Sequence, residues 1–359
     1  MNKNKMHFNH VLTYAGAFIA FLIGSGFATG QEIMQYFVSY GFMGIVGAAV
    51  VLVLFLYVGV SFISAGYHNK FAIRNDIYKY YCGKYIGAFY DYFSVLFIYM
   101  SFIVMIGGAG ATLHQQYNLP TFAGGIFMGI LVAGTVMFGL NKIVNVIGKI
   151  GPVIAIVAIL LGLVGILMNP QGLVTANKII PELNLLSAST NWLFAAGSYV
   201  GFCMLWLATF ISAMGAEANN KKEAVWGVIF GAIGFSAAVI IMALGFMANV
   251  ESLAGSLVPT LILAGKLHPN VATIFSLIVV TGIYTTAVPL LWTVVARVAD
   301  EKAGKFKIIT IILAAIGTFI GLMVPFDRLV NIIYVINGYV GILLLGLMLF
   351  KDLKQKSKS

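Results

Sequence analysis

The stretch Ala17-Phe18-Ile19-Ala20-Phe21-Leu22-Ile23-Gly24-Ser25-Gly26-Phe27-Ala28-Thr29-Gly30-Gln31-Glu32 places two glycines and a hydroxyl near the middle of the first long apolar run. A lipid-facing helix gains most there from leucine or isoleucine, so Gly24-Ser25-Gly26 reads as a break in the helix. Broken backbone at membrane depth is tolerated only where protein or a water-filled cavity satisfies the freed amide and carbonyl groups, which makes the break a binding-site signal. The competing reading is that these glycines let a neighbouring helix approach closely, as small residues do in membranes.

The rest of the chain sets the context. Charged residues are 9% of its 359 residues and hydrophobic residues 61%, against about 25% charged in soluble domains; mean hydropathy is +0.99. The expected class is an all-α polytopic membrane protein, one transport domain over 1–359, with room for about ten helices and no sizeable soluble domain. Apolar spans read as residues 11–37, 42–67, 86–112, 121–139, 143–168, 191–215, 223–248, 271–297, 307–324 and 330–350. The connector 249–270 holds an apolar run too short to cross, and reads as a re-entrant or surface hairpin.

The formal charge of +10 would point to nucleic acid in a soluble chain. Here it follows loop sidedness instead. With the N-terminus inside, all 21 Lys and Arg residues except Lys178, Lys266 and Arg328 fall on the cytoplasmic side. This positive-inside bias supports the span count and puts both termini in the cytoplasm of a bacterial cell membrane. The first span reads as an uncleaved helix rather than a signal peptide, because apolar character resumes beyond Glu32. Cys82, in a basic loop segment, and Cys203, in a later span, read as free thiols. Membrane lipid and a small-molecule substrate are the expected partners, nucleic acid is not, and the sequence carries no signature of oligomeric state.

The two halves, about 11–168 and 191–350, are nearly equal and each holds five spans. An odd number forces the second half to enter from the opposite side, giving a 5+5 inverted repeat as in many secondary transporters. Matching halves should break at matching places. Phe194-Ala195-Ala196-Gly197-Ser198-Tyr199-Val200-Gly201-Phe202 again shows small residues inside a span, so helix six is expected to break as helix one does.

At the first break, amides around Ser25, Gly26 and Phe27 would suit a carboxylate. Carbonyls released near Ala196 and Gly197 would suit an ammonium. Together they would recognise a zwitterion such as an amino acid. Ser198, Tyr199, Phe202 and Trp206 would shape the pocket from helix six, and Tyr99 and Ile103, at i and i+4, from helix three; ordinary core packing is the competing reading for these aromatics. Helix eight carries Thr281-Gly282-Ile283-Tyr284-Thr285-Thr286-Ala287-Val288-Pro289, whose hydroxyls and loosened carbonyls are hard oxygen ligands for a small monovalent cation. The alternative is that the threonines bond back to their own helix. Glu32 would lie about 12 Å beyond the break on a straight helix, toward the outer mouth, as a gate or proton site. Asp91 is expected to pair with a cytoplasmic base, and His114 and His268 lack partners at metal-ligand spacing.

These residues resemble a known group. Gly24 to Glu32, the ten-span layout and the chain length are similar to the YkvI-type bacterial membrane proteins of the amino acid–polyamine–organocation superfamily. Asn145-Val146-Ile147-Gly148-Lys149-Ile150-Gly151-Pro152 resembles the fifth-helix entry of branched-chain amino acid:cation symporters. The segment Ala216 to Ala224 resembles the superfamily's loop after helix six, with Asn220 where many members have proline. The resemblance implies a LeuT-type fold with substrate between broken helices one and six. It also implies a sodium site formed by carbonyls of Ala20 and Ile23 with Gly282, Thr285 and Thr286. The membrane part of helix five, Val153 to Leu167, holds no lysine to replace sodium, which favours sodium over proton coupling.

The expected activity is sodium-coupled symport of a small amino acid or related zwitterion, with no cofactor beyond the ion. The rivals are proton-coupled transport of an amine, nucleobase or vitamin through Glu32, and a channel or non-transporting sensor on the same scaffold. No P-loop, H-E-x-x-H or G-x-S-x-G motif points to an enzyme.

Overall fold

The computed structural model describes residues 6–71, 75–138, 144–301 and 303–356, with backbone alone at 144–152, 355 and 356. The described residues are helical, without strands. The first span is segmented into α1 (Phe8–Leu22), α2 (Ser25–Thr29) and α3 (Gln31–Tyr36). There follow α4 (Phe42–Asn69), α5 (Asp76–Tyr117), α6 (Thr121–Phe138), α7 (Val144–Met168) and α8 (Pro170–Ile179). The second half holds α9 (Trp192–Glu217), α10 (Lys221–Ala248), the short α11 (Val250–Leu253) and α12 (Pro259–Leu267), then α13 (Pro269–Val298), α14 (Gly304–Met323) and α15 (Phe326–Lys356).

Eight of these helices are long and apolar enough to cross a membrane, and α7, joined to α8 through an 89° bend, makes a ninth. The segmented α1–α3 stands in the place of the tenth span expected from the sequence. Helix starts follow capping chemistry. The Asn169 side chain accepts from the Gly172 amide at 3.0 Å with Pro170 in the first turn, so the chain restarts in a new direction at α8. Asn191 accepts from the Leu193 and Phe194 amides at the head of α9. Asn220 caps α10 through the Lys222 amide, which accounts for asparagine at that loop position.

The halves interleave. Helix α1 lies on α10 as α9 lies on α4, and α7 packs on α13 as α15 packs on α5. The ends of α4 and α15 and the starts of α1, α5 and α10 meet at one end of the molecule. Lys221 reaches His68 there at 2.9 Å, and the Lys351 ammonium lies over the Tyr80 ring. Lys3, Lys5, Arg74, Lys142, Lys302 and Lys358 lie outside the described residues, as do the side chains of Lys149, Lys356 and the Asn145–Pro152 motif.

Two expectations change. Helix six does not break: α9 runs unbroken from Trp192 to Glu217. Its glycines serve close packing instead. A methyl at Gly201 would collide with the Gly338 carbonyl of α15, and one at Gly215 with the Ile63 carbonyl of α4. Second, Cys82 sits in helix rather than in a loop, because α5 extends back to Asp76 through a bend at Gly83 (φ 74°). The connector 249–270, expected as a re-entrant or surface hairpin, carries α11 and α12, and α12 buries Thr260, Leu261, Leu263 and Ala264 against the neighbouring helices.

Candidate functional site at the broken first span

Ile23 (φ −84°, ψ 98°) and Gly24 (φ −107°, ψ −169°) are extended, so the first helix stops at Leu22 and restarts at Ser25. The break therefore begins one residue before the Gly24-Ser25-Gly26 triplet. Five residues on, Gly30 (φ 89°) turns the chain again into α3. That left-handed conformation suits glycine, and a Cβ there would also stand 2.6 Å from the Phe246 ring.

Glu32 is not at the outer mouth. The turn at Gly30 shortens the path back to the break, and helical side chains tilt toward the N-terminal end of their helix. The Glu32 carboxylate consequently fills the space that a Gly26 side chain would need. It is 1% exposed, and Tyr199 donates its hydroxyl to Oε2 at 3.2 Å. Oε1 has no protein partner. The first turn of α2, whose amides were expected to meet a substrate carboxylate, thus already faces an internal one, where a helix start stabilises negative charge.

Around this carboxylate the side chains are aromatic and polar together. Tyr199 is packed edge-on by Tyr36, Phe37 and Phe202 at 5.3, 5.1 and 5.2 Å between ring centroids. Phe202 stacks on Tyr334 at 4.7 Å and Phe97 on Trp206 at 5.2 Å. The Tyr334 hydroxyl faces Ser25 and that of Tyr36 faces Ser198, neither with hydrogen-bond geometry. Ser25 Oγ, Tyr36 OH, Ser198 Oγ, Trp206 Nε1 and Tyr334 OH are all buried without partners. An unpaired buried polar atom costs about 1–3 kcal/mol, and these gather at the break.

Beside this cluster, Gly24 and Trp206 line a cavity of about 480 Å³ that extends to Asn75 and Arg297 at the end where α1 starts and α15 finishes. Its walls include all five residues implied for sodium: Ala20, Ile23, Gly282, Thr285 and Thr286. The Thr285 and Thr286 hydroxyls donate to the Gly282 carbonyl at 3.0 and 2.9 Å. This is the back-bonding alternative, but each oxygen keeps lone pairs, and Pro289 lacks the amide that would bond the Thr285 carbonyl. At the mouth, Asp91 accepts two bonds from Arg297 at 2.9 Å and one from Asn75, the basic partner expected for it.

The proposed substrate residues divide. Gly24, Ser25, Gly26, Phe27, Ser198, Tyr199 and Phe202 lie at or around the break. Ala196 and Gly197 sit inside unbroken α9, with their carbonyls in the helix, and Gly197 faces Ile342 of α15. Tyr99 points away, donating to the Leu313 carbonyl of α14 at 2.8 Å, and the Ile103 backbone lies against Gly321. The face of α5 turned to the cavity is Ser94, Val95 and Ile98. Tyr36 was missed although it stands four residues after Glu32 on one helix face; Tyr334, three hundred residues away in sequence, left no signal.

On the far side a smaller cavity of about 210 Å³ is lined by Gln31, Gln35, Ser256 and Asp327, and hydrogen bonds tie its walls together. Gln31 donates to the Ser256 and Leu257 carbonyls at 2.7 and 3.1 Å, and Gln35 to the Asp327 carbonyl at 2.9 Å. Asn331 ties Gln35 to the Ser187 carbonyl, and the Thr260 hydroxyl lies over the Ala28 and Thr29 carbonyls. Among the described residues, the larger cavity beside the break runs toward the opposite side, to Asn75 and Arg297.

No family model matches the chain. It is 22% identical over 353 residues to the Bacillus subtilis strain 168 membrane protein YkvI, covering 94% of each. It is 25% identical over 354 residues to YyaD of the same strain, covering 94% of this chain and 95% of that one. Among solved structures it is similar to the inward-facing conformation of Mhp1, with TM-score 0.60 and 16% identity over 94% of this chain and 75% of that one. An Eremococcus coleocola manganese transporter in complex with an aromatic bis-isothiourea compound gives TM-score 0.56 and 14% identity, over 95% and 76%. The chain is a multi-pass membrane protein with the LeuT-type fold, and YkvI and YyaD are its homologues at low identity.

Proposed function

We propose that this protein is a secondary active transporter that moves a small amino acid or related zwitterion by alternating access, with sodium as the driving ion. The observation that carries the reading is the segmented first span, whose break faces unpaired buried polar groups on one side and a cavity open to one face of the molecule on the other. A solute site reached from one side at a time is what alternating access requires. The fold is shared with transporters, and oxygen donors of α1 and α13 meet on the cavity wall, which supports a cation there. On this reading the end where α1 starts and α15 finishes is the cytoplasmic one, in a bacterial cell membrane.

The test is uptake by liposomes holding the purified protein. Amino acids should accumulate under an inward sodium gradient, and the pair Thr285→Ala, Thr286→Ala should weaken the dependence on sodium. Accumulation that ignores sodium and follows a proton gradient would overturn the ion assignment. That outcome belongs to the second reading, proton coupling through Glu32, which the burial of this acid at the break favours; Glu32→Gln would then abolish proton-driven uptake. Manganese is not carried over from the neighbour, since among the described residues no three His, Cys, Asp or Glu side chains are grouped to hold a metal ion.

A further inference from the structure

The buried atoms without partners at the break make an unusual set. Glu32 Oε1 accepts, the Ser25, Ser198, Tyr36 and Tyr334 hydroxyls both accept and donate, and Trp206 Nε1 donates. The ionised carboxylate only accepts. Its other oxygen already holds the Tyr199 hydroxyl, and Gly26 leaves the room in which it lies. The enclosing rings of Tyr36, Phe202, Trp206 and Tyr334 offer π faces. Carbonyls of α9 that might have met a positive group are inside an unbroken helix. A carboxylate brought here would confront Glu32 as a like charge in a medium of low dielectric constant. A group carrying several N–H donors and a positive charge would instead satisfy acceptors and rings together.

We propose that the group recognised at this break is an ammonium, with Glu32 as its counter-charge and Tyr334 and Tyr36 as its hydroxyl partners, so that primary amines lacking a carboxylate are ligands in their own right. This rests on the transporter reading for the word transport alone. Trp206 is shared by the cavity wall and the aromatic cluster, where it packs edge-on against Tyr334. Gly26, Tyr199 and the Phe27 amide position the Glu32 carboxylate, whose Oε1 makes no hydrogen bond of good geometry.

The experiment is thermal unfolding of the purified full chain in detergent with two matched series. One is valine, isobutylamine and N-acetylvaline; the other is phenylalanine, phenethylamine and N-acetylphenylalanine. A ligand that binds only the folded protein raises its Tm. The free amine and the amino acid of at least one series should raise the Tm, and the acetylated form should not. Glu32→Gln should weaken amine binding about thirtyfold or more, as loss of one partner of a buried charge pair does. Tyr334→Phe, which keeps the ring, should weaken it about tenfold and serves where Glu32→Gln fails to fold. Shifts from the amino and acetylated forms with none from the amine would overturn the proposal while leaving the transporter reading untouched. No amine shift in either series, or an amine shift unchanged in both variants, would also overturn it. Amine shifts that depend on Glu32, with no uptake into liposomes, would keep the ammonium site and remove the transporter reading.

Discussion

Helices α1–α3 and α9 are written in similar small-residue language and fold differently. In the first, Gly24 and Gly26 stand two apart, on opposite sides of a helix, so no single neighbour can use both for close approach. The chain breaks, and the space at Gly26 is taken by Glu32. In the second, Gly197 and Gly201 stand four apart on one face, and α15 lies along that face with its own Gly338 and Gly341 against the Gly201 backbone. The helix stays whole because its glycines are spent on a packed crossing. The spacing of small residues, more than their presence, separates a break from a contact.

The largest expected effect tests the unbroken helix. Gly201→Leu drives a side chain into the α15 backbone, which cannot move aside as a side chain can, and should destabilise the protein by about 3 kcal/mol or more. Thermal unfolding in detergent reads it; an unchanged Tm would mean that the glycine does not serve packing. Gly26→Ala comes next, at about 1–3 kcal/mol. Its damage should shrink when Glu32→Ala is made in the same chain, because the two share one space. Additive Tm losses in that cycle would show that Glu32 does not occupy the break. Gly30→Ala should cost about 1–2 kcal/mol for the left-handed backbone, with more from the Phe246 ring, and a stabilising result would deny the turn between α2 and α3. Smallest is Asp91→Asn, at under about 1 kcal/mol, since Arg297 is 41% exposed at the cavity mouth. A loss several times larger would place that ion pair, rather than the break, at the centre of the fold.

Much of the architecture was legible because lipid imposes a simple rule: a span needs a long apolar run, and its charges collect at the ends. The expected span 121–139 is observed as Thr121–Phe138 and 223–248 as Lys221–Ala248. The first break was legible within a residue. The site was legible only in part. Ala20, Ile23, Gly282, Thr285 and Thr286 do share a cavity wall, but Tyr99 was assigned to the wrong face of α5. Any face of an apolar helix is a candidate until the rotation of its neighbours is known.

The sequence by itself determined that this is a helical membrane protein with a first span interrupted at Gly24, since those properties follow from hydropathy and from the chain's own backbone preferences. Only the tertiary structure decided that α9 stays unbroken, that Glu32 folds back onto Gly26, and that Tyr334 completes the polar cluster. The first and third are contacts between elements far apart in the chain, and the second depends on the turn at Gly30 beside Phe246 and on the Tyr199 hydroxyl of α9.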